Sequence, residues 1–336
     1  MGTLRVVRAG AGSGKTYDLC ETIAERVAAG LDPARILATT FTRKAAAELK
    51  GRIQARLLAH AGLSPGDRLA KAERLELAAI GTVHSVGHQL LTRYALPLGL
   101  SPRLTVLEEA GSARALSDLL AQMDSRPWED LAHIARRFSL GPPQDLALTL
   151  LDAKRSNNIG DQAFRAQMEA NGRRLCELMA PQGPSAQACT FDALYALARR
   201  TLAALDRIKD ETKTTEGAKN ALRRLVARRS LAWRDFVEAG RKIQAGKKSG
   251  ADAVLEDLRR AAATVFVSPD LHRDIREFLA RLTEQTLALG GAYADFKRER
   301  GLLDFTDLEV WLLRLLKNPD LTASLQADLD LVVVDE

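Results

Sequence analysis

The residues best placed to do chemistry sit in two short runs at opposite ends of the sequence. Near the start, Ala9-Gly10-Ala11-Gly12-Ser13-Gly14-Lys15-Thr16 joins a β-branched run, LRVVRA, to a stretch of helix formers. Glycine tolerates positive φ, so such a turn can aim its backbone N–H groups inward. Together with the N-terminus of the following helix they make an anion nest. Lys15 would neutralise the β and γ phosphates of a nucleotide, and the Thr16 hydroxyl would ligate Mg²⁺. Alanine stands at position 9 where the general pattern has glycine, which keeps a small residue at the tight turn. At the other end, Leu331–Val334 is an apolar run leading into Asp335 and Glu336. Three consecutive valines read as a strand buried on both faces. In phosphate-loop chemistry an Asp at such a strand end holds Mg²⁺ and a following Glu polarises the attacking water. Asp335 and Glu336 fill those roles; a solvated strand end is the rival reading.

A second set of side chains suits a polyanion. TTFTRKAAAELKGRI, from Thr39 to Ile53, places Phe41 at a strand end between Thr40 and Thr42 and beside Arg43 and Lys44. An aromatic there can stack a base while hydroxyls and cations grip phosphates. The rival makes Phe41 the last core residue of its strand. GTVHS also ends a strand in polar groups, His84 and Ser85, with helix capping the alternative for Ser85.

Elements must bring these runs together. The first hundred or so residues alternate strand and helix: LRVVRA, KTYDLCETIAERVAAG, ARILATTF, TRKAAAELKGRIQARLLAHAG, LAAIGTV and HSVGHQLLTRYALPLG. Leu19, Ile23 and Val27 fall on one stripe of the first helix, and Gly30 stops it. Such alternation implies right-handed crossovers and a parallel sheet. From about Leu107 to Leu289 strand signals nearly vanish and charged amphipathic helices follow one another, separated by SLGPPQD, APQGPSAQ and AGKKSGAD. DLDLVVVDE then resumes the sheet. The expected layout is one α/β domain, residues 1–106 and 290–336, interrupted by a large all-α insertion, residues 107–289.

Composition narrows the partners. The 336 residues carry a net charge of +6, which favours an anionic partner, nucleic acid first. Basic clusters within the helical stretch, ARRT, LRRLVARRS and AGKKSG, could lie along DNA or form solvated helix faces. Trp233 in LAWRDF reads as core, and in DFTDL Phe305 and Leu308 read as packed with Asp304 and Asp307 capping a helix. Three widely spaced cysteines and five scattered histidines form no CxxC or HExxH spacing. No signal-peptide core or bilayer-spanning run is present, so a reduced, cytoplasmic setting without a membrane is expected.

Taken together, these segments resemble the N-terminal half of a UvrD/Rep-type superfamily 1 DNA helicase. AGAGSGKT resembles motif I, TFTRKAAAELKGRI motif Ia, IGTVHS the next DNA-contact motif and VVVDE the start of motif II, in the family's order. GLLDFTDLEVWLLRLL is similar to the segment leading into motif II, and the insertion resembles the 1B domain, leaning toward the AddA or RecB-like helicase–nuclease branch. The resemblance implies a P-loop, RecA-like α/β fold that binds ATP and Mg²⁺. Lys15 and Thr16 serve nucleotide and metal, Asp335 the metal, and Glu336 water activation. Phe41 becomes a base-stacking candidate, with Thr40, Thr42, Arg43, His84 and Ser85 on the DNA path. The family's adenine-reading Gln has no counterpart before Ala9, and Tyr17 is the stacking substitute. It further implies a second RecA-like domain and later motifs beyond Glu336, so that this chain alone has weak ATPase activity and no unwinding. A nuclease partner is implied by the branch. A DNA- and ATP-binding fragment without turnover, and an unrelated P-loop enzyme such as a small-molecule kinase, are the alternatives.

Overall fold

The computed structural model describes residues 4–6, 15–179, 190–227 and 231–335, with Lys15 described by its backbone only. The phosphate-loop residues 9–14, the loop APQGPSAQ, the last three residues of LRRLVARRS, and Glu336 therefore lie outside the described residues. The chain is mostly helical with a small parallel sheet, and it divides into two compact units, residues 1–114 with 295–336, and residues 115–294.

In chain order the first unit contains α1 (Lys15–Ala28), β1 (Ile36–Thr40), α2 (Arg43–Ala59), α3 (Pro65–Arg74), β2 (Ala79–Thr82), α4 (Val83–Arg93) and β3 (Thr105–Val106). Helix α5 (Glu109–Gln122) leads into the second unit, which holds α6 (Arg126–Arg137), α7 (Pro143–Ser156), α8 (Asp161–Met179), α9 (Phe191–Asp206), α10 (Lys213–Ala227), α11 (Trp233–Lys242) and α12 (Glu256–Ala263). Helix α13 (Pro269–Arg300) leads back to β4 (Leu302–Leu303), α14 (Phe305–Lys317), α15 (Pro319–Asp328) and β5 (Leu331–Val334).

The sheet of the first unit has strand order β2-β1-β5, all parallel. β1 is central and every one of its residues is buried, the pattern of a strand covered on both faces. Cys20, Ile23, Ala24 and Val27 form the inward stripe of α1, and Leu49, Ile53 and Leu57 that of α2. Each of those fully buried large side chains contributes about 1.5–3 kcal/mol of burial. α1 ends before Gly30, whose φ of 112° suits glycine. Below the sheet, Arg35 ties β1 to the residue preceding β5: its Nε donates to Asp330 at 2.5 Å, and the Asp330 N–H donates to the Arg35 carbonyl at 3.0 Å. This pin fixes the register Ile36↔Leu331 through Thr39↔Val334.

Two expectations are corrected here. Leu4 and Val6, at the head of the expected first strand, belong to no strand and are 88% and 70% exposed. β5 is not buried on both faces. Leu331 and Val333 pack into the core of α1 and α2, whereas Val332 and Val334 are 57% and 79% exposed. Among the described residues only one face of β5 is covered, so its valines alternate in and out.

In the second unit the described residues form helices and short 3₁₀ turns without a strand. One core gathers Leu194, Leu205, Leu222, Phe236 and Leu258; another gathers Trp128, Leu131, Phe278 and Leu282. Trp233 is buried, its Nε1–H donates to Asp274 at 3.0 Å, and Phe191 packs edge-on against it, so it is core as its sequence context indicates.

Candidate nucleotide and strand-contact site

Three parallel strands bring their C-terminal ends to one edge, where open α/β sheets bind ligands. Phe41 and Thr42 follow β1, Val83 to Ser85 follow β2, and Asp335 follows β5. The register pairs Thr40 with Thr82 and Thr39 with Val334, so the three exits are level.

Phe41 is 84% exposed, which overturns the reading of it as a core residue. The last core position of β1 is Thr40, at 1% exposure, and its hydroxyl donates to the Thr42 carbonyl at 3.0 Å. Thr40 thus braces the turn from beneath; its side chain is not on the surface where a strand would touch it. The Thr42 Oγ1 accepts from the Ala45 N–H at 3.0 Å and caps α2. Arg43 and Lys44 open that helix, exposed and without an ion pair among the described residues.

At the neighbouring exit the cap is Thr82, not Ser85: its Oγ1 accepts from the Ser85 N–H at 3.2 Å, while the Ser85 hydroxyl donates to the Thr82 carbonyl at 2.9 Å. His84 is partly exposed, with Nε2 3.9 Å from Glu309 and its ring 4.7 Å from that of Phe305. Phe305, expected to pack, is 38% exposed and forms one wall of the histidine's seat. It is held by a buried ionic knot. Lys297, 4% exposed, donates to Asp304 at 2.9 Å and to Asp307, while Asp304 and Asp307 exchange backbone hydrogen bonds as a reciprocal cap on α14. The capping role expected of DFTDL is present; the lysine that completes it comes from the end of α13 and has no local signature.

On the nucleotide side, Lys15 and Thr16 open α1, the helix start that anion binding requires. Thr16 and Asp335 are both half-buried, and the Asp335 N–H donates to the Thr39 carbonyl at 2.8 Å. Burial pushes the thiol of Cys20, one turn beyond Thr16, above its ordinary range; Arg56 and Arg52 oppose this and the Asp335 carboxylate adds to it. A threonine hydroxyl and a carboxylate are hard oxygen donors, the set that Mg²⁺ prefers. Among the described residues no group of three His, Cys, Asp or Glu side chains could hold a metal by itself. Tyr17 is 63% exposed with the Arg56 guanidinium 3.9 Å from its ring centre, and the two border a recess of about 350 Å³ with Arg52, Ala55 and Ala59. A larger recess, about 880 Å³, lies in the second unit between α6, α8 and α13 and holds none of the site residues named above. Among the described residues no helix is long and apolar enough to cross a membrane.

The family described as UvrD/REP helicase N-terminal domain matches residues 1–336. An ATP-dependent helicase/nuclease subunit from Ligilactobacillus salivarius is 24% identical over 93% of this chain and 29% of that protein. Its namesake from Geobacillus thermodenitrificans is 25% identical over 98% of this chain and 31% of its own length. DNA helicase II of Haemophilus influenzae is 39% identical over 34% of this chain and 15% of that protein. The chain thus spans under a third of the length of these relatives.

Proposed function

This chain belongs to the UvrD/REP helicase N-terminal domain family, and from that premise we propose that it is the ATP-binding portion of a DNA helicase or translocase that moves on single-stranded DNA in repair or recombination. The observation that carries the reading is the level exit of β1, β2 and β5, which gathers an exposed aromatic, two capped helix starts and a carboxylate on one edge.

In this reading residues 1–106 and 290–336 form a RecA-like P-loop domain and residues 107–289 an all-α insertion of the 1B kind. The backbone of residues 9–14 cradles the phosphates of ATP, and Lys15 neutralises the β and γ groups. Thr16 and Asp335 hold Mg²⁺, which supplies charge neutralisation at the phosphates when bound. Glu336 orients a water for in-line attack on the γ-phosphorus and accepts its proton. Tyr17 offers a ring to the adenine in place of the absent glutamine. Phe41 stacks a base of the strand, Arg43 contacts its phosphates, and Thr42, His84 and Ser85 line its path. A second RecA-like domain supplies the arginines that complete the transition-state site, and a nuclease is the partner that the relatives' names suggest. The setting is the cytoplasm.

Calorimetry with Mg-ATP tests the reading: the chain binds, and Lys15→Ala abolishes binding. Equal affinity of the two proteins would refute it. Phosphate release stimulated by single-stranded DNA separates turnover from binding alone, and a phosphorylated small molecule as product would instead mark a kinase.

A further inference from the structure

His84 differs from Phe41 in that its setting is built by a neighbouring helix. It lies on the first turn of α4, and two side chains of α14 flank its imidazole. The Phe305 ring centre is 4.7 Å away and tilted by 56°, and a Glu309 oxygen is 3.9 Å from Nε2. Phe305 and Glu309 stand four residues apart on α14, so they share one face and move together. The two helices also approach closely one turn further along α4. A Cβ at Gly87 would lie 2.7 Å from the Leu312 Cδ1. α14 therefore has no room to move toward α4, and a movement away opens the seat of His84.

The knot at the first turn of α14 sets where that helix begins. The reciprocal hydrogen bonds of Asp304 and Asp307 already cap it, and a serine with a glutamine three residues later would cap it as well. Capping alone therefore does not call for a lysine. Lys297 and Asp304 are 4% and 5% exposed, so two charges are held out of water, which is costly. Well-packed apolar groups commonly replace such buried pairs without loss of stability, so stability alone does not account for the lysine either. What the ammonium adds is geometry. It donates to Asp304 Oδ2 at 2.9 Å and to Asp307 Oδ2, and so locks together the two carboxylates on either side of Phe305.

We propose that Lys297 is a positioning residue of the strand path: through Asp304 and Asp307 it fixes the start of α14, and through Phe305 and Glu309 it holds the His84 imidazole in the orientation that meets single-stranded DNA. The proposal rests on the DNA-acting function proposed above. Lys297 is buried and does not itself meet the strand, so its effect on binding passes through His84.

The test reads oligo-dT binding by fluorescence anisotropy and folding by urea unfolding in the same full-chain variants. The triple variant Lys297→Met, Asp304→Ser and Asp307→Gln removes all three charges and keeps a capping pair. Its unfolding midpoint should stay at or above that of the wild type. Its Kd for oligo-dT should rise about 2- to 10-fold, the loss expected for one hydrogen-bonding contact. His84→Ala should raise Kd by as much, and adding the triple change to His84→Ala should raise it no further, because both act through one contact. Asp307→Asn keeps an acceptor for the Asp304 N–H and drops one carboxylate. It should show a smaller loss that likewise vanishes beside His84→Ala, and it decides the question if the triple variant does not fold. A wild-type Kd after removal of the knot overturns the proposal. So do losses that multiply in the combined variant, since the knot would then act on another contact. If the wild type binds oligo-dT and Mg-ATP but His84→Ala binds oligo-dT as tightly, the proposal falls and the proposed function stands. No binding of oligo-dT by the wild type overturns both.

Discussion

Phe41→Ala separates the strand-contact role from a packing role because the two predict opposite outcomes. The ring is 84% exposed and the strand's inward contacts end at Thr40, so its removal deletes almost no buried area. Folding stability should stay within about 0.5 kcal/mol of wild type, as for other surface changes. A stacked base, in contrast, is worth about 1–3 kcal/mol by alanine substitution. That corresponds to a rise in Kd of about 5- to 150-fold. The assay is anisotropy of labelled oligo-dT at one fixed salt concentration, with urea unfolding in parallel. Phe41→Trp should retain binding, since any flat ring offers the face. An unchanged Kd with an unchanged unfolding midpoint would refute the stacking argument. So would a loss of binding matched by a large loss of stability, since the ring would then be structural.

Two further predictions concern stability. Lys297→Met leaves the buried carboxylate of Asp304 and that of Asp307 without their lysine and should destabilise the fold by about 3–5 kcal/mol, read by urea unfolding; a loss under about 1 kcal/mol would mean that the knot is not a stabilising device. Hydrogen bonds from Arg259 and Ala245 hold the Asp252 carboxyl down to about 2, below its ordinary 3.8, so its contribution is complete above the ordinary value and is lost as pH falls through about 2. Circular dichroism between those pH values should show acid loss of helix that is shallower in Asp252→Asn.

The helices and strands that frame the site are legible because their signals are local. Leu19, Ile23 and Val27 recur at helical spacing, and ILATT is a short apolar run between turns, a pattern that stays the same whatever lies across the sheet. The errors arise where an outcome depends on something distant. Three valines in a row describe β propensity, but whether Val332 and Val334 are covered depends on what packs over that face. Thr40 and Phe41 are adjacent, but the strand, covered on both faces, ends between them, so one is sealed and the other bare. Ser85 and Thr82 compete for the same cap, and the helix start decides for Thr82. The bonds from Lys297 to Asp304 and from Ser249 to Asp210 join segments that no periodicity links. Phe305, whose ring meets that of His84, was read only as packed, and its position between the capping carboxylates of Asp304 and Asp307 was the available signal.

The pin between Arg35 and Asp330 joins residues 295 apart in the sequence. At a synthesis rate of about 5–20 residues per second, the second partner leaves the ribosome about 15–60 s after the first. Throughout that interval one side of β1 has no strand to pair with, and an unpaired apolar strand edge is a template for aggregation. The helices of the second unit carry their own backbone hydrogen bonds, and helices of such length form in a small fraction of that time. Pairing of β5 with β1 therefore waits until the second unit has been made, and until then that side of β1 is an open strand edge.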